Sequence, residues 1–344
     1  MGVNISELVE KEEISLDYLA GKKVGIDSYN MLYQFLASIR GPDGLPLADS
    51  HGNVTSHLTG LFYRTLNLSD LGIKPVYVFD GKPSKLKYET LKKRREVRTD
   101  AEKKSETALQ EGNMGDAQKF GSRALRLTPQ MTDEAKEMLS YLGIPVVEAP
   151  EEGEAQASVM VSKGQLYGVV SQDFDCLLFG ANQLFRNIGM TGKRKVAGKN
   201  FYVEVKPQHI ELDSVLKQLQ ISREKLIWLG ILVGTDFSEK FPRIGPKTAL
   251  KLVQKCNSFD EILAETKHEP EFDYQDIVSV FMNPVSVEVD PKLLEAKEPN
   301  KEKLLEFLVE KHDFSKDRVE STINSFLKKK EETEKQKSLS QWFG

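Results

Sequence analysis

Four short apolar runs in the first half of the chain predict buried parallel strands. They lie at 23–26, 76–79, 144–147 and 167–171. Each run leads into a segment with helical spacing of apolar residues; the first continues through Leu32, Phe35 and Leu36. Strands that alternate with amphipathic helices are typical of a mostly parallel α/β sheet with helices on both faces.

The connection between the second and third predicted strands is unusually long. Residues 81–142 carry no strand signal and read as helices with breaks near 112–115 and 128–129. An insertion of this length in a compact domain is usually a functional lid or cap. We therefore expect a helical cap over one edge of the sheet.

The second half of the chain is predicted to be mainly helical. Residues 182–205 read as a β-hairpin with a basic, glycine-containing turn. From 222 onward the pattern is helical, apart from an irregular stretch at 270–299. The tail at 328–344 begins as a charged helix and ends on exposed aromatic residues.

Charge is unevenly distributed along the 344 residues. The net charge is −4, but residues 81–130 contain 13 Lys and Arg against 7 Asp and Glu, which makes that segment +6 and the rest −10. A basic segment beside acidic clusters favours a nucleic-acid partner more than the average net charge suggests.

No apolar run approaches the ~20 residues of a membrane span. The start lacks the order of a secretory signal, and the two cysteines form no framework. We expect a soluble intracellular protein without a membrane partner.

Carboxylates follow the predicted strands at the end where parallel sheets bind ligands. The set comprises Asp27, Asp80, Glu152, Glu154, Asp173 and Asp175. So many carboxylates at one rim repel each other unless cations lie among them. An all-oxygen ligand set favours Mg²⁺ or Mn²⁺, and two such ions are common in phosphodiester hydrolysis. The alternative is that each acid separately caps a helix. A buried apolar helix at 227–236 delivers a seventh acid, Asp236.

Eight stretches of the chain carry a resemblance to a known family. They are VGIDSYNMLYQFL, TSHLTGLFYRTL, KPVYVFDGKPSKLK, EAPEEGEAQAS, SQDFDCLLFG, LVGTDF, IGPKTALKLV and QKSLSQWF. In this order they resemble the flap endonucleases, the structure-specific 5′ nucleases of archaeal and eukaryotic replication. The resemblance spans essentially the whole chain.

The resemblance implies roles for individual residues. The two-metal ligands of the family match the six acids above and Asp236, and Lys87 and Arg94 match residues that contact the scissile phosphate. The 81–142 insertion matches a helical arch through which a free 5′ strand passes. Tyr33 matches an aromatic residue that stacks on a base at the cleavage site.

Two further sites are implied by the resemblance. A helix–hairpin–helix, often with bound K⁺, matches Arg243, Gly245 and Lys247; here Arg243 replaces the usual glycine, although arginine adopts positive φ only at a cost. A terminal peptide that docks on the replicative sliding clamp matches Gln336, Leu339, Trp342 and Phe343.

The expected fold is an α/β, PIN-like nuclease core with a mostly parallel central sheet, a helical arch and a helix–hairpin–helix region. The resemblance divides the chain into five regions: nuclease at 1–98, arch at 99–115, nuclease with the helix–hairpin–helix at 116–258, helices at 259–335 and the clamp peptide at 336–344.

The expected function is a 5′ flap endonuclease with 5′–3′ exonuclease activity in Okazaki fragment maturation and long-patch base excision repair. Its substrate would be branched DNA with a 5′ flap, and we expect a monomer. Its place would be the cytoplasm of an archaeon, at the nucleoid, or a eukaryotic nucleus. Two alternatives stay open: a phosphatase with an aspartyl nucleophile, since Asp173 and Asp175 form a D-x-D motif, and an inactive DNA-binding clamp adaptor.

Overall fold

A mixed seven-stranded sheet organises the protein. The computed structural model describes residues 2–41, 45–189, 192–195 and 202–343. Its strands are β1 (Glu12–Glu13), β2 (Lys23–Asp27), β3 (Lys74–Phe79), β4 (Val146–Glu148), β5 (Gly168–Val170), β6 (Gln183–Arg186), β7 (Gly192–Lys195), β8 (Tyr202–Val205) and β9 (Gln208–Glu211). The sheet order is β1-β9-β6-β5-β2-β3-β4, and β7 pairs with β8 in a separate ribbon.

The described part of the chain contains fourteen α-helices. They are α1 (Ser28–Ser38), α2 (Ser56–Asp70), α3 (Tyr88–Gln110), α4 (Met114–Ala124), α5 (Pro129–Tyr141), α6 (Gly153–Ser162), α7 (Asp175–Leu178), α8 (Leu212–Leu219), α9 (Arg223–Val233), α10 (Pro246–Lys255), α11 (Phe259–Thr266), α12 (Tyr274–Met282), α13 (Lys301–Leu305) and α14 (Lys316–Phe343).

The predicted parallel strands are confirmed as β2, β3, β4 and β5. Strands β6, β5, β2, β3 and β4 run parallel, while β9 is antiparallel to β6 and β1 to β9. The strand predicted at 144–147 begins at Val146, since Gly143 has a φ of 70° and ends the preceding turn. The helices at 81–142 and their two breaks are also confirmed.

Two predictions for the second half were wrong in part. The 182–205 segment is not one hairpin, because Gln183–Arg186 joins the main sheet beside β5 and only β7 and β8 pair with each other. The stretch expected to be irregular contains α12. The segment Ile277–Phe281 within α12 contains four apolar residues and one serine. Two of the apolar residues, Ile277 and Phe281, are buried in the core.

The sheet separates two hydrophobic cores. Side chains alternate across β3, so that Val76 and Val78 enter the core beneath α6, α7 and α9, whereas Tyr77 and Phe79 enter the core beneath α1, α2 and α5. Apolar residues on both faces explain the continuous apolar runs of the sequence. Helix α9 is buried along residues 226–233, as its composition predicts.

The turn between α9 and α10 holds an arginine in a left-handed conformation. Arg243 has a φ of 62°, the conformation that glycine adopts without strain. The Ile244 amide donates to the Phe241 carbonyl at 3.3 Å, and α10 then starts with Gly245 as N-cap and Pro246 in its first turn. The turn therefore keeps the glycine-type backbone although it carries an arginine.

Replacement of Arg243 by glycine should stabilise the protein by about 0.5–1 kcal/mol. Glycine removes the strain that a residue with a Cβ has in the left-handed conformation. Part of this gain is lost because glycine increases the conformational entropy of the unfolded chain. Chemical denaturation measures the change. Arg243→Ala is the matched control, since it removes the same charge but keeps the strain. Equal stabilities of the two variants would contradict the prediction.

Gly143 joins the turn before β4 to the 283–300 segment. Its carbonyl accepts the Lys297 amide at 2.7 Å, and a Cβ at this glycine would lie 2.3 Å from the Lys297 carbonyl oxygen. Gly164 has nearly the same φ (71°, against 70° for Gly143), but a Cβ there meets nothing within 4 Å.

Gly143→Ala should therefore lower the free energy of unfolding by about 3 kcal/mol, and Gly164→Ala by about 1 kcal/mol or less. Denaturant titration of both variants separates the clash at Lys297 from the φ penalty that they share. Similar losses in the two variants would show that the contact between Gly143 and Lys297 contributes little.

Candidate active site

The seven candidate carboxylates lie in or next to six elements of the fold that meet at the carboxyl edge of the sheet. Asp27 ends β2, Asp80 follows β3, and Asp173 follows β5, while Asp236 follows α9. The other three lie at helix starts: Glu152 and Glu154 at α6 and Asp175 at α7. In sheet order the chain turns back between β2 and β5, and this switch point is where doubly wound sheets bind ligands.

Ser171 connects two of these carboxylates. Its Oγ lies 2.9 Å from Asp27 Oδ2 and 2.9 Å from Glu154 Oε1. A hydroxyl has one proton to donate, so both contacts are satisfied when one carboxyl is protonated. Burial, followed by Asp173 and Asp27, raises the pKa of Glu154 well above its ordinary value. Burial also raises the pKa of Asp27, so both carboxyls that Ser171 connects resist ionisation.

Two further carboxylates, Asp80 and Asp175, also resist ionisation. Burial, with Asp27 and Glu152 nearby, raises the pKa of Asp80 to about 7. Burial, with Asp173 and Asp236 nearby, raises the pKa of Asp175 to about 8. Crowded negative charge at a buried rim is the cause in both cases. The site thus has an excess of negative charge that a bound cation would relieve.

Backbone amides at the start of the chain offset part of this charge. The Gly2 amide donates to both oxygens of Asp173, at 2.6 and 2.7 Å, and the Val3 amide donates to Asp175 Oδ1 at 2.7 Å. A Cβ at position 2 would lie 2.3 Å from Asp173 Oδ1, so only glycine fits. Gly2 was not predicted as a site residue, because the only signal in the sequence was a glycine beside the first methionine.

Gly153 has a comparable position at the start of α6. Its amide donates to Asp80 Oδ1 at 2.7 Å, and a Cβ there would lie 2.8 Å from the same oxygen. The glycine in the EEGEA motif therefore allows the strand β3 carboxylate to approach the helix N-terminus closely, where a negative charge is favoured.

Two cations from the predicted arch reach the carboxylates. Lys87 Nζ pairs with Glu152 and lies 3.3 Å from Asp236 Oδ2, and Arg94 pairs with Asp236 Oδ1. Burial by itself would raise the pKa of Asp236, but Lys87 and Arg94 reverse this and lower it. Burial acts to lower the pKa of Lys87, and its pairing with Glu152 and Asp236 raises the value instead. The start of α3 is thus fixed on the rim by charge.

The other predicted site residues lie outside the carboxylate set. Tyr33 is partly buried on α1, about one and a half turns beyond Asp27. Arg243, Gly245 and Lys247 lie at the turn before α10, where Lys247 Nζ is 3.7 Å from Glu7 Oε2. The side chains predicted to bind a clamp lie outside the described part of the chain: Gln336, Leu339, Trp342 and Phe343.

The donor chemistry of the rim fits hard divalent cations. Every candidate ligand is a carboxylate, and raised pKa values show that negative charge there lacks compensation. Among the described residues, no three His, Cys, Asp or Glu side chains are arranged to hold an ion as they stand. The site therefore fits divalent cations by its charge and by its type of ligand. In this structure the carboxylate oxygens instead contact Lys87, Arg94 and the Gly2 amide.

Across the described residues, no helix combines the length and apolarity that a membrane span requires.

Two family models match the segments of the chain that form the rim. The XPG N-terminal domain matches residues 1–101, and the XPG I-region matches residues 143–236. The first region contains Asp27, Asp80, Lys87 and Arg94, and the second ends at Asp236.

Relatives and solved structures match the chain over nearly its whole length. A flap endonuclease 1 of Pyrococcus horikoshii is 49% identical over 345 residues, 100% of this chain and 98% of that protein. A flap endonuclease 1 of Nitrosopumilus maritimus is 46% identical over 344 residues, 100% of each. The flap endonuclease-1 structure from Methanococcus jannaschii has a TM-score of 0.74 at 40% identity and covers 95% of this chain and 98% of its own.

A more distant structure shares the fold. Human GEN1 in complex with Holliday junction DNA has a TM-score of 0.68 at 22% identity and covers 97% of this chain and 79% of its own. The full-length relatives named above are endonucleases, which removes the aspartyl phosphatase and the inactive adaptor as alternatives. The chain belongs to the flap endonuclease family and is a nuclease that hydrolyses phosphodiester bonds.

Proposed function

We propose that the seven carboxylates at the sheet edge bind two Mg²⁺ ions, which Mn²⁺ can replace, for cleavage of DNA at 5′ flap junctions. The observation that carries the proposal is the convergence of acids from six elements on one rim, with Lys87 and Arg94 beside them. Bound ions of this kind stabilise the charge that develops on the phosphate and make water more acidic.

Lys87 and Arg94 are proposed to hold the scissile phosphate. Lys87 lies directly before α3 and Arg94 lies within it, and both reach the carboxylate rim. The Lys87 side chain is only 14% exposed, so its charge acts in a poorly hydrated place. Fixed cations at the point where negative charge builds up favour the transition state. The products expected are a 5′-phosphorylated duplex and a fragment with a 3′-hydroxyl.

DNA is proposed to be held by its shape. Helices α3 and α4 pack together as the arch, for a free 5′ strand, and Tyr33 stacks on a base at the junction. The turn at Arg243, Gly245 and Lys247 is proposed to contact duplex phosphates with its amides and cations, with K⁺ as a possible occupant. The left-handed φ of Arg243 supports this, since the hairpin backbone is kept.

The region boundaries of the sequence analysis also stay a proposal. Residues 1–98 and 116–258 are proposed to form the nuclease, 99–115 the linker segment within the arch, 259–335 a helical region and 336–344 a peptide that docks on a sliding clamp. The protein is proposed to act as a monomer on branched DNA, in the cytoplasm of an archaeon or a eukaryotic nucleus, in replication and repair. The absence of a candidate membrane span among the described helices agrees with a DNA-processing enzyme.

Substitution of Asp175 tests the metal proposal through both stability and activity. Because the pKa of Asp175 is raised to about 8 from 3.8, wild-type stability in EDTA should fall as pH rises from about 4 to about 8. At pH 8.5, Asp175→Asn should stabilise the metal-free protein by about 1–3 kcal/mol, and at pH 4 it should change little. Thermal melts across this pH range measure the effect.

Mg²⁺ should then raise the melting temperature of the wild type more than that of Asp175→Asn, and flap cleavage by the variant should fall at least 100-fold. Asp133→Asn, which removes an exposed carboxylate of α5, is the control and should leave both readouts unchanged. Wild-type cleavage by Asp175→Asn, or equal Mg²⁺ stabilisation of the two proteins, would remove Asp175 from the metal site.

Deletion of 336–344 tests the clamp peptide. Cleavage by the truncated nuclease alone should be unchanged, whereas stimulation by the cognate sliding clamp should be lost, because Leu339, Trp342 and Phe343 supply the apolar anchors. A paired substitution, Trp342→Ala with Phe343→Ala, should have the same effect, and Lys335→Ala should not. Full stimulation of the truncated protein would place the clamp contact elsewhere.

A further inference from the structure

Three cations lie at the start of the 81–142 insertion. Arg94 and Arg98 are four residues apart on α3 and therefore lie on the same side of that helix, and Lys87 lies in the turn directly before it. Lys87 and Arg94 end on the carboxylates Glu152 and Asp236. Arg98 lies one turn further along α3, and its guanidinium has a different neighbour.

That neighbour is Tyr33. The guanidinium carbon of Arg98 lies over the Tyr33 ring, 5.5 Å from the ring centroid. Both side chains are partly buried. Tyr33 belongs to the helix that starts directly after Asp27, six residues and ~9 Å of helix rise away. The pair therefore closes the gap between the arch and α1 close to the rim.

The two partners differ in their freedom to move. Tyr33 is carried by a helix whose Met31, Leu32, Phe35 and Leu36 are buried in the core. The Arg98 side chain is long and flexible, and its two neighbours in the sequence are not buried: Val97 is 65% exposed and Thr99 is partly exposed, although Ala101 on the same helix is buried. The Tyr33 ring is thus held in a fixed position, whereas the Arg98 guanidinium can move.

We propose that Arg98 is a DNA-positioning residue that, with Tyr33, sandwiches a base next to the scissile phosphate; this rests on the proposed function, in which Tyr33 lies at the junction. Bases stack on aromatic rings and on arginine planes alike. A base between them needs ~3.4 Å on each face. The present 5.5 Å must then open to about 7 Å, which movement of the Arg98 side chain supplies.

The sandwich distinguishes Arg98 from the other arch cations by what it contacts. Lys87 and Arg94 are directed at carboxylates, where a phosphate would be drawn, and act through charge. Arg98 faces an aromatic ring, and its planar guanidinium would stack on a base. Lysine has no such planar group, so it should not replace Arg98 fully. Its contribution should also depend on the presence of the base.

A cycle that combines protein and DNA changes tests this. Single-turnover cleavage is measured in Mg²⁺ on a 5′ flap substrate and on two substrates with an abasic site at either nucleotide flanking the scissile phosphate. On intact DNA, Arg98→Ala should lower the rate about tenfold, equivalent to ~1.4 kcal/mol of stacking, and Arg98→Lys should lower it by a smaller factor. Arg95→Ala, an exposed cation on the same helix, is the control and should cleave at the wild-type rate.

On one of the abasic substrates the wild type should itself slow about tenfold, and Arg98→Ala should then cleave at the rate of the wild type on that substrate. The sandwich would be overturned if Arg98→Ala lowered the cleavage rate by the same factor on intact and abasic DNA while Arg98→Lys kept the wild-type rate. That result would show that Arg98 acts by charge alone. Failure of the wild type to cleave any flap would instead count against the proposed function.

Discussion

Electrostatic crowding at the carboxyl edge of the sheet is the constraint on which the rest of the structure depends. Parallel strands place their ends on one side, so acids that follow β2, β3 and β5 come together whatever their separation in the chain. Asp27, Asp175 and Asp236 are buried there. Buried like charges oppose folding, and the protein meets this opposition with protonation, amides and cations.

The compensating groups come from far apart in the chain. Amides of Gly2 and Val3 reach Asp173 and Asp175 across more than 170 residues. The start of the arch supplies Lys87, directly before α3, and Arg94 on α3. Each compensating group also limits the backbone around it: position 2 must lack a Cβ, and the arch must start close to β3. The carboxylate rim therefore determines the positions of the chain start and of the arch as well as the chemistry.

Some of this architecture is readable from sequence and some is not. Strands β2, β3 and β5 are apolar on both faces, so a continuous apolar run identifies them, and the acid that follows each run locates the rim. Strand β9 reads QHIE and gave no such signal. Its edge position beside β6 depends on pairing such as Leu184 with Ile210, which is a long-range contact that local periodicity does not encode.

The turn at Arg243 shows the same limit for backbone conformation. Arginine at that position argued against a left-handed residue on local grounds, yet Arg243 has a φ of 62°. The packing of its neighbours explains why: Phe241 and Ile244 are both buried, and the Phe241 amide donates to the Leu232 carbonyl at the end of α9. With both flanking side chains held in the core, the exposed residue between them takes the conformation that closes the turn.

The candidate DNA contacts share a feature that follows from the same constraint. A rim crowded with carboxylates repels a phosphate backbone unless fixed cations and metal ions intervene. Contacts that tolerate any base, such as stacking on the phenol of Tyr33 and on the guanidinium of Arg98, would add binding energy without adding negative charge to the rim. Recognition by stacking and by backbone contacts lets such an enzyme read the geometry of a junction, while the acids that would oppose DNA binding stay available for the metal ions that cleavage needs.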